Sequence, residues 1–227
     1  MFNLKYPSLV ICSIDGRVVI TTHKIGSRFF EEKAGKCSDA NKYESHFQWN
    51  THDTFVNTIE PSINTQFEFT HGGGLDEKTK SFCDLFGVDK IEDILTTQPI
   101  TFITRDPWSR FWSGLFEVVG ENINEKINHI DKSIFNDTHL SLWNTFLIEL
   151  ILHYEIKEHE IIDINNPLIT ERYGTKTIGV RESTNKFKYK PWLENEDNKV
   201  YIEKLQTILK PYMDLEINSY NKLLNYE

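Results

Sequence analysis

Apolar residues fall along this chain in two rhythms. Short, nearly continuous apolar runs occur at "SLVICSI" (8–14), "RVVITT" (17–22), "ITFITR" (100–105) and "HEIIDI" (159–164), with "QFEFT" (66–70) and "TKTIGV" (175–180) beside them. Runs of this length predict strands, and those without alternation suit a parallel sheet covered on both faces. Elsewhere the spacing changes to three and four. Trp143, Phe146, Leu147, Leu150, Ile151 and Tyr154 predict a helix over 140–154, with Asn136, Asp137 and Thr138 as capping residue types before it. Val200, Leu205, Ile208 and Leu209 predict a helix that stops at Pro211, and a further helix runs from Met213 to Leu224. Strands alternating with helices imply an α/β fold in three layers, a mainly parallel sheet flanked by helices. No repeat, low-complexity tract or linker divides the sequence, so 1–227 reads as a single domain.

Composition narrows the function classes. A net charge of -9 argues against general attraction to nucleic acid, so any anionic ligand must be held by a local cluster of donors. The three cysteines, Cys12, Cys37 and Cys83, form no CxxC pair and read as reduced thiols, which suits a cytoplasmic, soluble protein. The run "YPSLVICSI" is interrupted by Pro7 and followed by Asp15, a better first strand than signal peptide. No HExxH motif or carboxylate cluster with metal spacing occurs, and no metal is expected.

Two segments carry candidate chemistry. In "VVITTHKIGSRFFEE" (18–32) a strand turns into a helix through Lys24, Ile25, Gly26 and Ser27. As residues, these suit either a tight turn with a helix cap or an anion cradle. In the cradle, free N–H groups at residues 25 to 28 face the ligand with the helix dipole behind them. Lysine lies two residues before the glycine, so this is not the Walker A pattern GxxxxGK(S/T), and a nucleotide kinase-like activity is disfavoured. In "ITFITRDPWSRFWSG" (100–114) a strand ends at Arg105, and Asp106-Pro107 opens a helix carrying Arg110 and Ser113. The alternative there is an ordinary helix start with a surface arginine and a buried aromatic pair, Phe111 and Trp112.

Taken together, strand–"HKIGS"–helix followed by strand–"RDPWSRFWS"–helix resembles the sulfotransferase superfamily that uses 3'-phosphoadenosine 5'-phosphosulfate (PAPS). That family's elements have the forms PKxGSTxL and RDPxxRxxSxY. Arg105, Asp106, Pro107, Arg110 and Ser113 fall in register with the second. "NDTHLSLW" (136–143) is similar to an Asp/His element of the membrane-type carbohydrate enzymes and their microbial relatives. "LKPYMDLEINSYNKLL" (209–224) looks like the family's closing helix. His23 and Arg28 depart from the pattern, standing where a proline and a Ser or Thr are usual, and Gly114 precedes Leu115 where an aromatic is common.

The resemblance implies a P-loop NTPase-like sulfotransferase fold in a soluble microbial or viral member. It implies transfer of a sulfonate from PAPS to a hydroxyl or amine of a carbohydrate or small-molecule acceptor, leaving adenosine 3',5'-bisphosphate (PAP). The donor site would run over Lys24, Ile25, Gly26, Ser27, Arg28 and Phe29, gripping the 5'-phosphosulfate. Arg105 and Ser113 would hold the 3'-phosphate, with Arg181 as a third contributor. Lys24 would stabilise the leaving group, and His139, then Glu31 or Glu32, would take the acceptor's proton. His71, before Gly72, would line either an acceptor loop or a surface turn. The other implied reading is a sulfotransferase-fold protein that binds a nucleotide or glycan without turnover. Oligomeric state and acceptor are not legible.

Overall fold

The computed structural model describes residues 7–27, 29–30, 33, 42–50, 66–70, 83–120, 123–137, 139–175 and 184–225. Strands β1 (Ser8–Ile14) and β2 (Arg17–Thr21) form a hairpin. Its loop, Asp15-Gly16, has φ of 51° and 77°, the pair of positive values that a two-residue hairpin turn of matching twist requires. β3 (Lys42–Asn50) pairs antiparallel with β1, and β4 (Gln66–Thr70) antiparallel with β3. On the other side β5 (Ile100–Thr104) and β6 (His159–Asp163) continue from β2 in parallel. The sheet order is β4-β3-β1-β2-β5-β6.

The protein is therefore mixed α/β. The parallel character expected from the continuous apolar runs belongs to β2, β5 and β6, while β1, β3 and β4 pair antiparallel. β5 is buried along its whole length, as a strand covered on both faces should be. β3 has no counterpart in the sequence-based expectation: "KYESHFQWN" alternates Tyr43, Phe47 and Trp49 with polar residues and so lacks an apolar run. The strand expected at 175–180 falls on residues of which only Thr175 is described.

Among the described helices are α1 (Ile91–Thr97), α2 (Pro107–Val119), α3 (Ile123–Lys126), α4 (Trp143–His153), α5 (Pro167–Tyr173), α6 (Thr184–Glu194) and α7 (Lys199–Leu224). In α4 the predicted stripe is realised. Trp143, Phe146, Leu147 and Leu150 are buried, each contributing about 1.5–3 kcal/mol. Trp143 Nε1 donates to the carbonyl of Ile103 at 2.9 Å, pinning α4 to β5.

Two expectations need correcting. The N-cap of α4 is Leu142, which makes no side-chain cap bond. The orphan amides of Asn144 and Thr145 donate instead to the Glu216 carboxylate of α7, at 2.7 and 3.0 Å. A distant carboxylate has replaced the local cap expected at 136–138. Nor does Pro211 stop a helix: α7 runs through it. Leu205, Leu209, Tyr212, Met213 and Leu223 form one buried stripe across the proline, which itself lies exposed. Burial of that stripe outweighs one lost hydrogen bond on the solvent side.

Candidate functional site

The parallel strands β2, β5 and β6 all end at the same edge of the sheet, so the segments that follow them meet there. After β2 the chain turns at once. Thr22 accepts from the Ile25 N–H at 3.3 Å, Lys24 has φ of 68° and Gly26 has φ of 89°. The positive φ favours glycine at 26, and a Cβ there would also press on Ile164 Cδ1, 3.0 Å away in the segment after β6. Helical backbone starts at Ser27.

Ile25, Phe29 and Phe30 face the core, with the Phe29 and Phe30 rings 5.0 Å apart, edge to face. The N–H groups of Ile25 and Phe29 are already bonded, to Thr22 and Gly26. These two predicted site residues thus have a structural part in the turn. Among the described residues, no backbone acceptor faces the N–H groups of Gly26 or Ser27. The first segment presents these two amides and the Lys24 ammonium. Arg28, Glu31, Glu32, His71 and Arg181 lie outside the described residues.

The second segment arrives at the same place. Asp106 caps α2 by accepting from the Ser109 N–H at 2.8 Å, and Pro107 occupies its first turn. This fixes Arg105 at the junction, where its Nη1 donates to the carbonyl of Lys24 at 2.8 Å. The two sequence motifs are therefore in contact. Ser113 lies on α2 and is buried. One turn further, Glu117 Oε2 stands 2.8 Å from Lys24 Nζ, with side-chain exposures of 36% and 14% respectively.

Arg110 is not the surface arginine of the ordinary helix-start reading. It is buried beneath the site and donates through Nη1 and Nη2 to the carbonyl and hydroxyl of Ser141. Burial pushes its pKa down to about 10, with Glu216 opposing and Arg105 adding to the shift. Burial pushes the Glu216 carboxyl up, against the pull of Arg110 and of the Asn144 and Thr145 bonds. The two groups stabilise the segment that carries the next candidate.

His139 stands at that segment. Its Nδ1 lies 2.9 Å from Asp137 Oδ1, which also accepts the His139 N–H at 2.8 Å. With the Nδ1 proton donated to Asp137, Nε2 keeps its lone pair, the tautomer a general base needs. The His139 ring stacks on that of His23, centroids 4.7 Å apart, so the turn after β2 supports the imidazole. Gly114 has a similar logic. A Cβ there would lie 2.6 Å from the His139 carbonyl oxygen, so α2 can approach this segment only through glycine.

At the end of β6, Asp163 Oδ2 accepts from the Tyr220 hydroxyl of α7 at 2.7 Å. Its phenol is raised well above the ordinary value, by burial first and then by that bond and the charges of Asp163 and Asp106. Tyr220 stays a neutral donor.

Sequence reasoning missed Glu117 and Glu216. Glu117 follows Ser113 by one helical turn, a spacing that puts both on one face. Glu216 interrupts the apolar stripe of α7, which marks it as a buried carboxylate in need of partners. Among the described residues no group of three metal-ligating side chains forms, and no helix is long and apolar enough to cross a membrane. Comparison with family models, curated proteins and solved structures finds no match.

Proposed function

We propose that this edge of the sheet is the donor site of a PAPS-dependent sulfotransferase with a P-loop NTPase-like fold. The reading rests on one observation, the bond from Arg105 Nη1 to the Lys24 carbonyl, which makes the "HKIGS" and "RDPWSRFWS" segments neighbours. Lys24 and the Gly26 and Ser27 amides grip the 5'-phosphosulfate, and Arg105 with Ser113 the 3'-phosphate. A chain of charge -9 thus holds an anion by local donors.

The acceptor hydroxyl or amine attacks sulfur in line. As its bond to sulfur forms, the bridging S–O bond breaks and its electron pair stays on the 5'-phosphate of PAP. The acceptor's proton passes to His139 Nε2, with Asp137 steadying the imidazolium. Negative charge grows on the leaving oxygen, so an ammonium near it stabilises the transition state more than the ground state. At about 4 Å and an effective dielectric near 20 such a pair is worth roughly 4 kcal/mol, of which only the gain in the transition state accelerates the reaction. Incubation with sulfur-labelled PAPS and a panel of sugars, alcohols and amines tests the proposal. Label should appear on an acceptor; PAP binding without any transfer identifies a silent binder instead.

A further inference from the structure

The Lys24 ammonium already has an anion beside it. Glu117 Oε2 is 2.8 Å away, the Lys24 side chain is 14% exposed, and the Lys24 carbonyl is held by Arg105. The ammonium is mostly buried with Glu117 against it, so a second anion competes with that carboxylate for the Lys24 charge. Glu117 sits on the α2 face that also carries Ser113, one turn away, and its side chain is 36% exposed. It is the more exposed member of the pair.

We infer that Glu117 is a resident counter-ion that determines the site's affinity and selectivity for anions. A phosphate or sulfonate reaching Lys24 must compete with this carboxylate for the ammonium, and the carboxylate beside it repels the incoming anion. Ligands that grip Lys24 are weakened by this competition, whereas ligands held only at Arg105 are not. The site then favours a ligand with a second anionic group, whose contact at Arg105 offsets that loss. The inference rests on the reading of Lys24 as the anion-gripping group, but not on the identity of the nucleotide.

The test compares the wild-type protein with Glu117→Gln and Glu117→Ala by titration calorimetry. The probes are inorganic pyrophosphate, PAP, 5'-AMP and 3'-AMP. Pyrophosphate, PAP and 5'-AMP should bind both variants roughly tenfold more tightly, the order expected when one like charge is removed from beside a bound anion. 3'-AMP should bind all three proteins equally. Unchanged or weaker pyrophosphate and PAP binding in both variants overturns the counter-ion role, as does equal tightening of 3'-AMP. Tightened pyrophosphate binding with no preference for PAP keeps the counter-ion and removes the PAPS reading. Strong PAP binding that is indifferent to position 117 does the reverse.

Discussion

Arg105 Nη1 lies 2.8 Å from the carbonyl oxygen of Lys24, 81 residues earlier in the chain. The bond joins the turn after β2 to the junction of β5 and α2. It takes up one guanidinium nitrogen and holds the Arg105 side chain against the turn that carries Lys24.

Lys24 occupies left-handed backbone, with φ of 68°, where a non-glycine residue is strained. Lys24→Gly should therefore unfold at higher denaturant than Lys24→Ala, by about 1 kcal/mol, although both lose the same side chain. On the proposed reading both variants also lose sulfonate transfer by a hundredfold or more. Urea titration with labelled transfer checks the pair. Equal stability denies the strain, and near-normal turnover denies the role of the ammonium.

Gly114 inverts the usual helix rule. Alanine in a helix interior is normally favoured over glycine by about 1 kcal/mol. Here a Cβ would stand 2.6 Å from the His139 carbonyl and 2.8 Å from Leu140 Cδ2. Gly114→Ala should destabilise by about 1–3 kcal/mol, as overpacking does, and should disturb the His139 segment. Thermal unfolding of the variant decides the sign.

The division between what could and could not be foreseen follows from range. β1, β2 and β5 were legible because each is a short apolar run buried along most of its length, and α4 because its apolar residues recur at spacings of three and four. The capping of α4 was not, since Glu216 comes from 71 residues beyond Thr145 and carries no local signature. The continuity of α7 was hidden because local proline chemistry points to a break, and only the packed stripe on both sides overrides it. In the site, Lys24, Arg105, Ser113 and His139 were named from local motifs and the family resemblance those motifs carry, while Glu117 joins them only when α2 is laid against the turn.

Glu216 and Arg110 test that long-range framework. Glu216→Leu leaves Arg110 without its countercharge and strips the Asn144 and Thr145 amides of their acceptor, which should cost about 3–5 kcal/mol. Adding Arg110→Met should recover a large part of that loss, because a buried pair replaced on both sides leaves no orphan charge. Chemical denaturation of the single and double variants provides the cycle. A double variant less stable than the single contradicts the pairing.

Glu160 sets an acid limit at the opposite end of the parallel strands. Although burial pushes its carboxyl upward, bonds from Thr101 at 2.8 Å and from Arg172, with the charges of Arg172 and Arg17, hold it below the ordinary value of 4.5. The folded state thus binds this proton less readily than the unfolded chain. Its contribution is fully present above pH 4.5 and is lost as pH falls below that value through the folded pKa. Glu160→Gln should be less stable by about 1 kcal/mol at neutral pH and should lose part of the acid sensitivity below pH 4.5. Denaturation curves across that range measure both.

The central claim is that two segments distant in sequence grip the two ends of one nucleotide. Titration calorimetry of the wild-type protein with PAP and with 5'-AMP tests it most directly, repeated with Arg105→Ala. The account predicts binding of PAP at least tenfold tighter than 5'-AMP, with the preference abolished in Arg105→Ala. Equal affinity for the two nucleotides, or binding of neither, would contradict it.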